Sequence, residues 1–234
     1  MSLSIHGVTD TLSEEHSKYA DALEEAGRAF EEAEALFGEE AFNERIGWKK
    51  DENNDQGDVV WAKKTPRGKM VTISTELPGT AEFVMKESWE GVEGLPKWNK
   101  NINYASTIVS PTDYFDIITY GNNDVLIVSG RDFVSARIHR KMPDGSFIMA
   151  SKSVDLPEKP ETDGKVRAEL ILAGARFRPH PTKPNVTIAD VVMLADLKGM
   201  LPKVLVNQVL GKIMLMEGVT NREHFTKLAN AATA

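Results

Sequence analysis

The chain has 234 residues, 41% of them hydrophobic and 27% charged, which is enough apolar side chain for a large core in one soluble domain. A formal net charge of −7 argues against nucleic acid as a partner, because neutralising phosphates requires clustered Lys and Arg. The absence of cysteine removes disulfides, thiolate zinc sites and cysteine nucleophiles together, and fits a cytoplasmic location.

Residues 1–12 lack the basic head and apolar run of a signal peptide and are expected to form a flexible N-terminus. No window approaches the roughly 18 apolar residues of a membrane span. From Ser13 to about Phe37 the chain is rich in Ala, Glu and Leu, with Tyr19, Leu23, Ala26, Phe30, Ala33 and Phe37 on one stripe. That pattern predicts a packing helix capped by Thr11 or Ser13, its acidic run forming a solvated face. Gly38 and Asp51 to Gly57 read as turns.

Strand signals begin at Val59 to Trp61 and continue at Lys69 to Leu77, joined through Pro66, Arg67 and Gly68 as a hairpin. A short helix follows from Thr80 to about Trp89, and Trp98 is expected to anchor a core. A meander of strands occupies the middle, over residues 102–109, 112–120, 133–140, 146–154, 165–172, 176–180 and 186–195. Turns at 110–112, 143–145, 157–164 and 179–184 punctuate it.

The last quarter predicts a helix from near Leu201, with Pro202 in its first turn, to about Leu228. Lys203, Asn207, Gln208, Lys212 and Arg222 form one polar stripe, and the apolar sector covering the rest is wider than one contact face needs. Such a helix is either sunk into a core or a lid over a hydrophobic cavity. The adaptable Met214 and Met216, and Gly211 and Gly218 at roughly 1 kcal/mol each relative to Ala, fit a lid that loosens. Helices flanking an antiparallel sheet describe an α+β fold of one domain, residues 13–230, with a 231–234 tail. A long helix after a strongly curved sheet would lie in its concavity.

Alternation along the strand at 133–140 places Phe133, Ser135 and Arg137 on one face, with Val134, Ala136 and Ile138 on the other. An inward Arg137 needs a carboxylate, a ligand oxygen or water, because a buried unpaired guanidinium costs several kcal/mol. The alternative is an exposed edge arginine. No Gly-x-Ser-x-Gly elbow, phosphate-cradling glycine loop or metal-ligand pattern occurs, and His139 and His180 fit no recognisable triad, so no catalytic residue is expected.

Five blocks occur in order: Gln56-Gly-Asp-Val-Val-Trp-Ala-Lys-Lys64, Trp98-Asn-Lys-Asn-Ile102, Arg131-Asp-Phe-Val-Ser-Ala-Arg137, Gly164-Lys-Val-Arg-Ala-Glu169, and Asp196-Leu-Lys-Gly-Met-Leu-Pro-Lys203 followed by Asn207-Gln-Val-Leu210. Together they resemble the sterol- and carotenoid-binding subgroup of START (steroidogenic acute regulatory protein-related lipid transfer) domains. The resemblance implies a helix-grip fold: a curved antiparallel β-sheet around a hydrophobic tunnel, closed by a long C-terminal α-helix and two Ω loops. It implies a lipid-transfer protein without cofactor or metal, acting as a monomer, that sequesters one sterol or carotenoid and contacts membranes transiently.

In sterol-binding relatives an acidic residue on the preceding strand pairs with the arginine corresponding to Arg137. Counting back without a gap reaches Ile118 instead; Asp116 on the same face could substitute, as could Asp124 in the loop. By position, Asn99 and Leu95 resemble tunnel-wall residues, and Phe115, Ile117, Met149, Leu172, Met193, Val206, Val209, Leu210 and Ile213 are further lining candidates. Val125, Leu126, Ile127 and Val128 fall at the first Ω loop, either as a buried strand end or as a tip that covers the mouth and enters a bilayer. Two rivals remain: an enzyme hydrolysing or isomerising a hydrophobic ester on this scaffold, and a lipid-gated interaction module.

Overall fold

The computed structural model of the chain describes residues 1–232, without the side chains of Lys203 and Ala232; the end of the expected 231–234 tail lies outside the described residues. The N-terminal residues, expected to be flexible, carry two short strands. β1 (Ser2–Ile5) and β2 (Val8–Thr11) form a hairpin turning at His6 and Gly7, both at positive φ. Its Ile5, Leu12 and Asp10 are buried. Leu3 lies so close to the next helix that a Cβ at Gly27 would come within 2.7 Å of it.

That helix, α1 (Ala20–Gly38), starts later than its Glu-rich lead suggested, because residues 17–19 form a 3-10 turn. The short α2 (Glu40–Asn43) follows. Among the described residues, one sheet of ten strands holds β3 (Lys49–Asn53), β4 (Val59–Thr65), β5 (Gly68–Pro78), β6 (Ile102–Thr112), β7 (Phe115–Asn122), β8 (Arg131–Lys141), β9 (Phe147–Ser153), β10 (Val166–Arg167), β11 (Glu169–Pro179) and β12 (Val186–Asp196). Their order is β3-β4-β5-β12-β11-β9-β8-β7-β6, antiparallel throughout, with β10 adding in parallel to β8. The expected break between residues 172 and 176 is absent, and β11 runs through it.

Between β5 and the far edge strand β6, the chain crosses the sheet through α3 (Ala81–Glu90), N-capped by the Thr80 hydroxyl, and α4 (Leu95–Trp98). The final helix, α5 (Lys203–Ala232), lies along β5, β4 and β3.

The curved sheet has an outer and an inner side. On the outer side α1 buries Phe30, Ala33 and Phe37 against Val134, Ala136, Ile138, Leu172 and Val192 in one continuous core. The inner side carries two separate clusters. One joins Val60, Val71, Ile73, Phe133 and Leu170 to Val209, Leu210 and Met214 of α5. The other joins α3 to Leu77, Phe147, Phe177 and Phe225.

Candidate functional site

The gap between the two inner clusters is where the site lies. Met149, Ala173, Val191 and Met193 point to the inner side yet keep part of their surface accessible, and Val191 touches both clusters. Tyr120 and Glu217 lie deep enough for desolvation to raise both pKa values, and each keeps part of its surface accessible. Partly accessible side chains between two packed clusters mark the candidate site, since a close-packed core leaves little accessible surface.

One wall of that space is polar. Arg137 stands directly opposite Asp116 in the β7–β8 register, and its Nε and Nη2 donate to the two carboxylate oxygens at 2.9 and 2.6 Å. Nη2 also donates to the Trp89 carbonyl at 2.9 Å and Nη1 to that of Ser88 at 3.4 Å, so the C-terminal turn of α3 caps the pair. These bonds use four of the guanidinium's five hydrogens and leave one on Nη1. Burial pushes the Asp116 carboxyl above its usual range, with Arg137 opposing. The pairing decides among the three residues open in the sequence: Ile118 faces Ser135, and Asp124 instead accepts from the Gly130 N–H at 2.7 Å within its own loop. Beside the pair, the fully buried Ser135 hydroxyl has no hydrogen-bond partner among the described residues.

A second polar group hangs from the lid, and sequence reasoning missed it. Glu217 receives hydrogen bonds from Asn99 Nδ2 at 2.8 Å and Asn101 Nδ2 at 3.3 Å. It is the only acid between Val204 and Val219, an oddity in an apolar run that could have flagged it. Burial raises its carboxyl pKa against the pull of the two amides, and the Tyr120 phenol is raised by its own burial first and by the Glu217 charge second. A carboxyl whose pKa is raised by folding weakens the fold where it is ionised, and that cost disappears as pH falls through the folded pKa towards the unfolded value near 4.3. Relative to Glu217→Gln, the native protein should therefore gain thermal stability as pH is lowered from about 8 to about 4; parallel melting-temperature curves for the two would contradict this.

The expected lining residues divide by face. Asp116, Ile118, Phe133, Ser135, Arg137, Met149, Met193, Val206, Val209, Leu210 and Ile213 lie on the inner side or on α5 facing it, and Asn99 meets the lid through Glu217. Leu95 is half-buried at the start of α4. Phe115, Ile117 and Leu172 are corrections: all three are completely buried in the outer core beneath α1. The glycines of α5 also have a different role from loosening. A Cβ at Gly211 would collide with Asp51 Oδ2, and one at Gly218 would come within 2.7 Å of Ile73 Cδ1, so both permit close approach of helix to sheet.

At one end of the space the loop after β7 makes a two-residue turn. Val125 and Val128 exchange backbone hydrogen bonds of 2.9 and 3.0 Å. Val128 is buried, while Leu126 is 55% and Ile127 84% exposed. Leu126 holds φ at 58°, a left-handed backbone that costs a non-glycine residue about 1 kcal/mol or more. Arg131 ties this loop to the segment preceding α5 by donating to the carbonyls of Leu197 and Lys198 at 2.9 and 3.2 Å. Met200 and Val204, on that side, are also exposed. The far half of α5 is clamped instead: Arg222 grips Asp58 with two 2.6 Å bonds, and His224 stacks on Trp98 at 4.0 Å.

His139 is buried between Trp89 and Tyr114, its Nε2 3.3 Å from the Asp113 carbonyl, and desolvation depresses its pKa to about 4. His180 Nδ1 accepts from the Thr182 and Lys183 backbone N–H groups. Among the described residues, no group of acids and histidines is placed to hold a metal, and no helix is long and apolar enough to cross a membrane.

Comparison with known proteins agrees with this architecture. Residues 28–230 match the START domain. The chain is 61% identical over 227 residues to "Steroidogenic acute regulatory-like protein 1" of Caenorhabditis elegans, covering 97% of this chain and 87% of that protein. It is 30% identical over 190 residues to the human "Steroidogenic acute regulatory protein, mitochondrial", covering 75% of this chain and 65% of that one. Among solved structures, "Human StAR-related lipid transfer protein 5" superposes with a TM-score of 0.77 at 21% identity, covering 90% of this chain and 99% of that one. Matched over most of its length and built on the same helix-grip fold, the chain belongs to the START-domain family.

Proposed function

We propose that the protein binds one hydroxylated lipid, a sterol or a carotenoid, in the space beneath α5, carries it through the cytoplasm as a monomer, and exchanges it with membranes. The observation that carries this reading is the row of partly accessible apolar side chains between the two inner clusters, beside the buried Arg137–Asp116 pair. An apolar pocket with few placed polar groups is the usual form of a small-ligand site. The remaining Nη1 hydrogen of Arg137 offers a lipid hydroxyl a charged donor. A sterol of about 28 heavy atoms at about −0.3 kcal/mol per atom reaches roughly −8 kcal/mol, or micromolar affinity, which suits exchange. The names of the relatives point the same way. The enzyme reading has no such support: among the described residues His139 Nε2 meets the Asp113 carbonyl and Nδ1 has no hydrogen-bond partner, so neither ring nitrogen bonds a hydroxyl.

Val191→Phe tests the gap itself. Filling an empty space should leave the melting temperature unchanged or raised while reducing cholesterol and carotenoid binding at least about tenfold; in a packed core the same change costs about 1–3 kcal/mol. Binding is read by radiolabelled cholesterol capture and by visible absorbance of carotenoid retained on the protein. Native protein that takes up neither lipid, and speeds transfer of neither between vesicles, would sink the proposal.

A further inference from the structure

On the outer side of the sheet, away from the lipid space, an open cavity of about 340 Å³ is lined by Asn43, Glu44, Arg45, Ser74, Arg176, Arg178 and Asp190. Three guanidiniums meet there in a protein whose net charge is −7. Asp190, only 2% exposed, sits at their centre: Arg176 donates to it through Nε and Nη2 at 3.0 and 2.8 Å, Arg178 through Nε at 2.9 Å, and Ser74 through its hydroxyl at 2.6 Å. Arg45 joins them by donating to the Ser74 hydroxyl at 2.8 Å, from a backbone held at φ 57°.

The donors are far from spent. Both Nη nitrogens of Arg178 lack a partner among the described residues, which leaves a whole guanidinium fork open. Arg45 uses one hydrogen on each of its Nη nitrogens and keeps its Nε hydrogen. Burial and repulsion from Arg176 and Arg178 depress the Arg45 pKa against the attraction of Asp190, so the cluster holds more positive charge than its one buried carboxylate balances. Stored repulsion of this kind is relieved by an anion, and planar forks favour oxyanions bound through paired hydrogen bonds.

We infer that the cavity between α2 and the outer face of β5, β11 and β12 is a binding site for a phosphate group, held by Arg45 and Arg178 and braced by Arg176 through Asp190. Asp190 lies six residues, about 20 Å of strand, from Asp196, where β12 runs out towards α5 and the segment that Arg131 ties to the exposed loop, and it is on the opposite side of the sheet from α5. That separation favours a soluble phosphorylated molecule over the headgroup of a bilayer engaged at the tip. The site is independent of lipid carriage.

Isothermal titration of the whole chain with inorganic phosphate and with inositol trisphosphate, at an ionic strength fixed by chloride, tests the inference. Saturable binding is expected, weakened about tenfold to a hundredfold by Arg178→Gln and again by Arg45→Gln. Arg178→Gln leaves Asp190 paired with Arg176 and Ser74, so it should fold, as circular dichroism will show. A parallel arm uses phosphatidylcholine vesicles with and without phosphatidylinositol phosphate. Arginine-dependent binding to those vesicles alone assigns the phosphate to a lipid, and binding of the soluble probes assigns it to a free molecule. Heats no larger than those of chloride together with no selective vesicle binding, or binding that both variants retain, overturn the inference.

Discussion

Asp10→Ala should lower the melting temperature by roughly 6 to 20 °C, more than any surface ion-pair substitution in this protein. The Arg140 side chain is fully buried, and among the described residues Asp10 is its only carboxylate. Its other bonds go to the carbonyls of Ile5 and His139, at 3.2 and 2.7 Å, and Asp10 also accepts from the Thr112 hydroxyl. Removing one partner of a buried pair strands the other charge and costs about 3–5 kcal/mol, and each kcal/mol moves a domain of this size by about 2–4 °C. Deleting residues 1–12 should cost at least as much, because Ile5 and Leu12 lose their burial as well. Glu24→Ala, whose exposed carboxylate is 3.7 Å from Arg28, is the control and should change stability by less than about 1 kcal/mol. Replacing both partners, Asp10→Leu with Arg140→Met, should recover much of the loss. Thermal unfolding of the four variants decides; an unchanged melting temperature for Asp10→Ala would mean that the hairpin is not clamped to β8.

That clamp shows where the sequence stopped being readable. Ser2–Ile5 and Val8–Thr11 are four-residue strands joined by His6-Gly7, which lacks the Asn-Gly signature of a tight hairpin, so residues 1–12 read as loose. β3, Lys49-Lys-Asp-Glu-Asn53, is an edge strand with no apolar residue to mark it. The longer strands were readable because turn residues bracket them, but which face each residue takes was not always so. β7 and β8 are buried on both sides, so no polar alternation distinguishes Phe115 and Ile117 from Asp116 and Ile118; only the pairing of Asp116 with Arg137 settles it. In β11 a bulge between Leu170 and Leu172 reverses the parity, sending Leu170 inward and Leu172 outward, and nothing in the composition announces it. Alternation grouped Arg137 with Phe133 and Ser135 but left open whether that face turned inward or to an exposed edge. Glu217 was not legible, because its partners Asn99 and Asn101 come from the far end of the sheet crossing.

Leu126→Asp combined with Ile127→Asp should slow lipid transfer between vesicles about a hundredfold or more while leaving the melting temperature unchanged. The reasoning begins with strain: the chain holds Leu126 at positive φ and leaves it and Ile127 in water, although Val125 and Val128 beside them are tucked in. An unfavourable backbone that displays two large apolar side chains has its return when those side chains leave water. Burying each is worth about 1.5–3 kcal/mol, so half of the combined gain already corresponds to more than a tenfold change in membrane residence. Charge cannot substitute for it, because a chain of net charge −7 is repelled by anionic lipid, and transfer should accordingly vary little with salt. Phe83 is exposed too, but it packs near Phe225 at the clamped end of α5, and Phe83→Ser should leave transfer intact. Loading from ethanol, which bypasses the bilayer, should be normal in the double variant. Slowed transfer with normal loading places the mouth at the loop and the near half of α5; transfer lost with Phe83→Ser instead would place it at the opposite end, beneath the Arg222–Asp58 clamp.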